Sequence, residues 1–251
     1  MKVVLLGFGG WLSDPSYGTT SLLLVDEDGG TVILIDPGEG VLRDLHLCGY
    51  GDLRRIRAVL VTHRHGDHIL GLPTLVQWAK VLQHRFTVVG PQDALGSLRS
   101  ILEATGVSNY DQYLELLPVD EGAQLTLGGL RVSFLRTPHT VPSLAIRVES
   151  RGRDCLVYSS DTAYSEDLVN FSRGCKLLLH EVTFLDADPI LLRRLGHSTA
   201  SDAVRVAEEA GCGTLIPVHL GTYSREDLAR YLNPAEGLQV VMPERCLELK
   251  L

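Results

Sequence analysis

One short segment constrains this 251-residue chain more than any other. Residues 62–68 read Thr-His-Arg-His-Gly-Asp-His, and they directly follow the apolar run Ala-Val-Leu-Val at 58–61. Three imidazoles and a carboxylate are costly to bury unless they have partners. Imidazole nitrogen and carboxylate oxygen are also ligands that zinc prefers. The segment therefore predicts one half of a metal centre at the end of a buried strand.

Length and composition favour one folded unit. Apolar residues make up 45% of the chain and charged residues 22%, close to the average of soluble globular proteins. A chain of this length can bury a large core, so we predict a single domain over residues 1–251. The formal net charge of −8 argues against a protein that coats nucleic acid through bulk electrostatics, although it is compatible with a local basic cleft.

Nothing in the sequence predicts membrane association. No apolar run approaches the roughly 20 residues that a membrane helix needs, and the apolar start at 3–6 turns to glycine too early for a signal peptide. The five cysteines, which include no C-x-x-C pair, are Cys48, Cys155, Cys175, Cys212 and Cys246. We therefore expect buried free thiols and a cytoplasmic, reducing location.

Two strand-rich stretches are each followed by alternating helices and strands. In the first half the apolar patterns predict strands at 3–6, 21–25, 31–35, 58–61 and 86–89, and helices at 41–47, 72–82 and 92–105. In the second half they predict strands at 124–127, 131–135, 144–149, 155–158, 176–179 and 214–218, and helices at 199–210 and 225–232. Turns are predicted at 28–30 and 151–153. This order predicts an α/β fold of two packed halves, with two facing sheets and helices outside.

The spacing within the histidine-rich segment favours two adjacent metal sites. His63 and His65 are two residues apart, so their side chains share one side of an extended strand end. Asp67 and His68 come from a turn and point at a second position. Catalytic zinc usually keeps three protein ligands and an open position for water, so two such sites need ligands from elsewhere in the chain.

Three later residues stand in the same setting, just past the end of a predicted strand. His139 follows the strand at 131–135, Asp161 follows the strand at 155–158, and His219 follows the strand at 214–218. Loops at one edge of a sheet sandwich converge, so ligands at several strand ends can meet around one site. These residues are therefore candidates for the other half of the centre.

Together these residues carry a resemblance to a known family. Residues 63–68 match the H-x-H-x-D-H signature of the metallo-β-lactamase superfamily, and the three later candidates fall in the order of its other ligand motifs. The resemblance spans nearly the whole chain and implies a four-layer αββα sandwich. It implies a dinuclear zinc hydrolase, with manganese or iron as alternative metals. The implied ligands are His63, His65 and His139 for one ion, Asp67, His68 and His219 for the other, and Asp161 as the bridge. Asp36 looks like the family's early aspartate, which supports the ligands from behind.

Asp161 narrows the choice among branches of the superfamily. True β-lactamases have cysteine in that position, whereas an aspartate favours branches that act on phosphate esters or thioesters. Water that bridges two zinc ions loses a proton near neutral pH, and the ion pair stabilises the attacking and leaving oxygens of an in-line displacement. The resemblance therefore implies a metal-bridging hydroxide as the nucleophile, with Asp67 among the catalytic residues.

Two further strings are similar to motifs of ribonuclease Z, the endonuclease that trims tRNA 3′ ends. Residues 180–183, His-Glu-Val-Thr, resemble its H-E-A-T motif, and residues 196–199, Gly-His-Ser-Thr, contain its H-S-T motif. Carried over, His197 is the general acid that assists the leaving group and Glu181 is its orienting partner. The alternative is that Ser198 or Thr199 only caps a helix, with His197 and Glu181 exposed to solvent.

The chain departs from typical ribonuclease Z at one place. Those chains carry a tRNA-gripping arm between the positions of His139 and Asp161, which here leave room for a hairpin and no arm. The resemblance therefore points first to a phosphodiesterase that acts on a small phosphodiester or a nucleic-acid end. It points second to a tRNA 3′-processing enzyme that binds its substrate without the arm.

Other interpretations stay open at this point. A thioesterase, sulfatase or lactonase can use the same centre, and relatives of this branch are often homodimers. A purely structural metal site is disfavoured, because structural zinc normally takes four protein ligands and keeps no open position. The diiron flavoprotein branch is disfavoured because no flavodoxin-like domain is attached and because Arg64-His65 stands where that branch has glutamate.

Overall fold

The computed structural model describes residues 1–12, 14–26, 30–150 and 154–251, and within them two seven-stranded sheets form the centre of the molecule. The strands are β1 (Lys2–Gly7), β2 (Ser21–Val25), β3 (Val32–Ile35), β4 (Ile56–Leu60), β5 (Phe86–Gly90), β6 (Leu114–Pro118), β7 (Gln124–Leu127), β8 (Leu130–Thr137), β9 (Ser143–Glu149), β10 (Cys155–Tyr158), β11 (Leu177–Glu181), β12 (Thr214–Val218), β13 (Gln239–Val240) and β14 (Leu247–Lys250). The helices are α1 (Val41–Leu47), α2 (Gly66–Ile69), α3 (Leu72–Leu82), α4 (Gln92–Ala104), α5 (Glu166–Ser172), α6 (Pro189–Leu195), α7 (Ala200–Ala210) and α8 (Arg225–Tyr231). The strand order is β14-β1-β2-β3-β4-β5-β6 in the first sheet and β13-β12-β11-β10-β9-β8-β7 in the second.

Alternate side chains of the first sheet pack into different layers of the core. Val3 and Leu5 of β1 join a hydrophobic cluster shared with the second sheet. Val4 and Leu6 join the cluster that α1, α3 and α4 complete on the outer face. Because successive side chains of a strand point to opposite faces, both faces of this sheet are buried. The predicted α/β sandwich with helices outside is confirmed.

Parallel strands in both sheets position the loops that matter for function. In the first sheet β3, β4, β5 and β6 pair in parallel, and in the second sheet β10, β11, β12 and β13 do so. Parallel strands end at the same edge of a sheet, and ligands of open α/β sheets bind outside those carboxyl ends. The segments after β4, β10, β11 and β12 therefore emerge where a site can form.

The element predictions from sequence are largely confirmed. Strands 21–25, 124–127, 155–158 and 214–218 and helices 41–47 and 72–82 have the predicted bounds, and the others shift by one or two residues. The predictions missed β6, β13, β14, α2, α5 and α6, which are at most seven residues long. A short element gives only a weak periodic signal. Residues 28 and 29 of the turn predicted at 28–30, and all of the turn predicted at 151–153, lie outside the described residues.

The expectation of five free thiols is wrong for four of them. Cys48 is bonded to Cys246 and Cys155 to Cys175, which leaves the buried Cys212 free. The paired residues are 198 and 20 positions apart in sequence, and the fold brings their Cα atoms to 5.1 and 4.5 Å. Sequence spacing cannot show such pairs. The thiol argument for a reducing compartment therefore falls, and the cytoplasmic location stays a prediction without that support.

The membrane prediction can be examined on the same described residues. Among them, no helix combines the length and the apolar character that crossing a membrane requires.

Removing the Cys48–Cys246 bridge should destabilise the fold. The bridge encloses 198 positions of sequence, and cross-links stabilise mainly by restricting the unfolded chain, so replacing both cysteines by serine should lower the free energy of unfolding by about 2–5 kcal/mol. Urea unfolding without reductant measures the change. Reductant should move the wild type toward the variant. Equal unfolding midpoints of the two proteins without reductant would contradict the bridge.

Candidate metal centre

The first group of converging ligand atoms comes from the ends of β4, β8 and β10. His63 Nε2 and His139 Nε2 lie 3.1 and 3.2 Å from His65 Nδ1. Asp161 Oδ2 lies 3.6 Å from His63 Nε2 and 3.8 Å from His139 Nε2. These four ligand atoms are all within 4.8 Å of one another, which is close enough for one metal ion.

The second group shares Asp161 with the first. Asp67 Oδ2 lies 3.1 Å from His219 Nε2 and 3.4 Å from His68 Nε2. Asp161 Oδ1 lies 3.5 Å from His68 Nε2, and its Oδ2 lies 3.3 Å from His219 Nε2. The structure thus brings all seven predicted ligands together, with the Asp161 carboxylate facing both groups.

Two buried atoms in this cluster test whether a metal fits. His68 Nε2 and Asp161 Oδ1 are buried and have no hydrogen-bond partner. A buried polar atom without a partner costs free energy, and a cation between this nitrogen and this oxygen removes the cost. Five imidazoles and two carboxylates are a donor set that suits borderline metals such as zinc. The cluster can therefore hold metal.

A buried carboxylate, Asp36, orients the second group from behind. Its Oδ2 accepts hydrogen bonds from Thr62 Oγ1 at 2.8 Å, His68 Nδ1 at 2.8 Å and Tyr158 Oη at 3.0 Å. Its Oδ1 accepts one from the backbone N–H of Thr62 at 2.8 Å. Because the His68 proton is held on Nδ1, its Nε2 is left with the lone pair that a metal needs.

Hydrogen bonds to Nδ1 orient two further histidines in the same way. His139 Nδ1 donates to the backbone oxygen of Gly196 at 2.8 Å, and His219 Nδ1 donates to Thr183 Oγ1 at 2.9 Å. Each bond leaves Nε2 facing the cluster. Burial and the neighbouring imidazoles also hold the pKa of His63 well below its ordinary value, so that this histidine is neutral, as a ligand must be.

Glu181 and His197 form a hydrogen-bonded pair beside the predicted metal ligands. Glu181, the last residue of β11, is fully buried. Its Oε1 accepts from His197 Nδ1 at 2.8 Å, while Oε2 accepts from the backbone N–H and Oγ1 of Thr183. The alternative in which both residues are solvent-exposed is therefore wrong. Thr199 caps α7, whereas Ser198 Oγ donates to the backbone oxygen of Thr162.

The charge of Glu181 sets the protonation of His197. Burial alone lowers the pKa of His197, but the hydrogen bond and charge of Glu181 outweigh burial and raise that pKa above its ordinary value. For Glu181, burial opposes ionisation, but the hydrogen bond and charge of His197, the charge of His219 and the backbone N–H of Thr162 together outweigh burial and lower the pKa of the carboxyl to about 2. The pair is therefore arranged as a carboxylate and an imidazolium, which is a proton donor.

Sequence reasoning missed three contributors to this region. Thr183 stands inside the quoted string 180–183 but received no role, and its hydroxyl links Glu181, His197 and His219. Tyr158 lies in an apolar strand run and gave no signal. Trp11 lines the cavity above the centre, and only its unusual exposure in the fold reveals it.

Comparisons with known proteins agree with this architecture. Residues 31–220 match the model of the beta-lactamase superfamily domain. Ribonuclease Z of Ignicoccus hospitalis is 31% identical in an alignment 254 positions long, which covers 82% of this chain and 83% of the relative. The probable metallo-hydrolase YhfI of Bacillus subtilis is 28% identical, with 92% of this chain and 91% of the relative covered.

Solved structures show the same fold. The crystal structure of Bacillus subtilis YhfI matches with a TM-score of 0.84 at 26% identity, covering 99% of this chain and 98% of that one. Human tRNase Z, short form, matches with a TM-score of 0.80 at 22% identity, covering 100% and 99%. The second likeness is one of fold.

Exchanging the Asp36 carboxylate for an amide should weaken metal binding. In Asp36→Asn the side chain keeps its size, and asparagine tolerates the positive φ of 49° at this position. If the amide oxygen still accepts the hydrogen bond from the Thr62 backbone N–H, the NH₂ group faces three hydrogen-bond donors. An NH₂ group cannot accept from them. We expect about 10- to 100-fold weaker zinc binding, measured by competition with a chelating dye, and a loss of about 1.5–3 kcal/mol of unfolding free energy.

Tyr158→Phe is the matched control, because it removes one donor and leaves the carboxylate intact. Its effect on zinc affinity should be clearly smaller. Wild-type zinc affinity in Asp36→Asn would show that this carboxylate does not orient the ligands.

Proposed function

This chain belongs to the metallo-β-lactamase superfamily, and we propose that it is a phosphodiesterase with two divalent metal ions, zinc foremost. The observation that carries the proposal is the placement of two ligand groups around Asp161 beside one cavity, which His197, held from behind by the buried Glu181, also lines. In this proposal His63, His65 and His139 would hold one ion and Asp67, His68 and His219 the other, with the Asp161 carboxylate available to both. Bound there, the ions would lower the pKa of water and neutralise charge on the phosphoryl group.

The protein's own residues divide the remaining work. Asp67 reaches the cavity from between His68 and His219, and we assign it the orientation of the attacking water. His197 also lines the cavity. Nδ1 of His197 is hydrogen-bonded to Glu181. Nε2 of His197 is therefore the atom that can donate a proton to the leaving oxygen. The raised pKa keeps that proton available near neutral pH.

A tRNA 3′-processing enzyme is the second candidate function. The 31% identity to Ribonuclease Z of Ignicoccus hospitalis favours it. Between His139 and Asp161, however, the described chain consists mainly of β9 and β10, where an arm would be needed. Incubation with a precursor tRNA distinguishes the candidates, since only the processing enzyme should cut after the discriminator base. A panel of thioesters, sulfate esters and lactones tests the remaining hydrolase classes.

Two substrates with different leaving groups test the phosphodiesterase activity and the leaving-group role of His197 separately. The zinc-loaded wild type should hydrolyse both the 4-nitrophenyl ester of thymidine 5′-monophosphate and the dinucleotide thymidylyl-thymidine. His197→Ala should lower kcat for the dinucleotide about 10²- to 10⁴-fold. It should lower kcat for the nitrophenyl ester much less, because nitrophenolate leaves without a proton.

His46→Ala is the control for the loss of a histidine, since His46 is exposed on α1 and should leave both rates unchanged. Equal losses of kcat on both substrates in His197→Ala would contradict the leaving-group role of His197. A wild type that binds metal and turns over neither compound would sink the phosphodiesterase proposal.

The pH profile should depend on Glu181. The protonated form of His197 is the active one, so kcat for the dinucleotide falls as the pH rises through the raised pKa of His197. Glu181→Gln removes the charge that raises this pKa, and the alkaline fall should move to lower pH. The profile of kcat against pH measures the shift. An alkaline limb at the wild-type position would contradict the assignment.

A further inference from the structure

The cavity above the centre has the size of a small ligand. Its volume is about 550 Å³, within the range of about 300–1,000 Å³ of small-molecule sites. Its lining includes four of the proposed metal-binding residues and His197. It also includes four large apolar side chains, those of Trp11, Leu70, Phe184 and Leu195. A phosphoryl group at the centre would therefore place an attached group against apolar side chains.

Hydrogen bonds hold the backbone that precedes Trp11. The Gly10 N–H donates to the backbone oxygen of Leu220 at 2.9 Å, and the Leu220 N–H donates to the backbone oxygen of Phe8 at 2.9 Å. A Cβ at Gly10 would lie 3.0 Å from the His219 ring, so glycine allows this segment to lie directly against a proposed ligand. Trp11 follows at the mouth of the cavity and is 65% exposed. A large aromatic ring held in water beside a reactive centre is suited to stack on a ligand.

Glu39 adds a negative charge to the lining of the cavity. Among the described residues that line the cavity, none is lysine or arginine, and Glu39 is the one charged residue outside the proposed metal-binding set and His197. Glu39 follows Gly38, where a Cβ would collide with the Asp67 backbone oxygen. The loop that carries Glu39 therefore packs on the segment that carries Asp67. A carboxylate here repels phosphates other than the one held at the centre.

We propose that the cavity selects a mononucleotide-sized phosphodiester with one flat aromatic group, a nucleobase or an aryl ring, stacked on Trp11. Glu39 disfavours substrates that carry a further phosphate next to the one that is cleaved. This inference rests on the proposed phosphodiesterase function and adds the substrate class. It assigns Trp11 to binding and Glu39 to selectivity.

Tryptophan fluorescence tests the aromatic contact without turnover. The chain has two tryptophans, and Trp78→Phe leaves Trp11 as the reporter. Adenosine 5′-monophosphate should quench this variant in its zinc-loaded form, whereas ribose 5-phosphate, which lacks the base, should not. The matched variant Trp11→Phe, in which Trp78 is the reporter, should show no quenching by either compound. Equal responses to the two ligands in Trp78→Phe would overturn the stacking contact.

Kinetics test the same contact on a substrate. In Trp11→Ala, kcat/KM for bis(4-nitrophenyl) phosphate should fall about tenfold or more, the size of effect seen when an aromatic–base stack is removed. For methyl 4-nitrophenyl phosphate, which has the same chromogenic leaving group and one aromatic ring fewer, the loss should be smaller. Trp11→Phe should retain most of the wild-type preference, and Trp78→Phe all of it. Equal losses on both substrates would overturn the proposal.

A second substrate pair tests Glu39. The pair is the 4-nitrophenyl ester of thymidine 5′-monophosphate and its analogue with an additional 3′-phosphate. The wild type should prefer the first, and Glu39→Gln should narrow the preference by about threefold at low salt, less as salt screens the charge. An unchanged preference would overturn the role of Glu39.

The outcomes separate this inference from the function on which it rests. Base-dependent quenching without any phosphodiester turnover would keep the aromatic site and reject the phosphodiesterase. Turnover without base-dependent quenching and without the Trp11 effect would keep the phosphodiesterase and reject the aromatic site.

Discussion

The structure depends on one buried carboxylate that ties the two sheets together at the metal-binding edge. Asp36 follows β3 of the first sheet, and its hydrogen-bond donors come from the segment after β4 and from Tyr158 of β10 in the second sheet. Hydrogen bonds to a charged acceptor contribute about 1.5–3 kcal/mol each, and in a dry interior they are also directional. A shift of either sheet breaks several at once. The position of His68, and with it the second ligand group, follows from this contact.

The electrostatics of the ligand set explain why the centre favours a cation. Burial lowers the pKa of an imidazole, as it does for His63. At His68 and His219 the carboxylates of Asp67 and Asp161 outweigh burial and raise the pKa, to about 9 for His219. Such shifts report an excess of negative potential inside the cluster. Protons and metal ions compete for the same nitrogen lone pairs, so metal binding must displace protons and grow stronger as the pH rises.

The sequence was informative where chemistry or periodicity is local. The segment 62–68 predicted metal ligands, because three imidazoles directly after an apolar strand have no ordinary structural explanation. The helix at 72–82 and the strand at 155–158 had the right bounds because their apolar patterns are regular. His139, Asp161 and His219 were found through their shared position after strands and through the resemblance to a family.

What sequence could not supply is contact between distant parts of the chain. The partner of Cys48 is 198 positions away, and no spacing rule reaches that far. Thr183 gains its role only when β11 and β12 lie side by side, because its hydroxyl then reaches both Glu181 and His219. In the sequence Trp11 is only a residue after a glycine cluster. Its place beside the candidate site becomes visible only in the fold, where Gly10 lies against His219.

The same geometry bears on how long a substrate this centre can accept. Binding a polynucleotide relies on many phosphate contacts from basic side chains, each of which releases counterions. Here the chain carries a formal net charge of −8, and the described lining of the cavity holds Glu39 and neither lysine nor arginine. Affinity must then come from the one phosphate at the centre and from apolar contact with the group attached to it. Such a division of binding energy favours a small phosphodiester, because every further phosphate adds repulsion and gains no partner within the cavity.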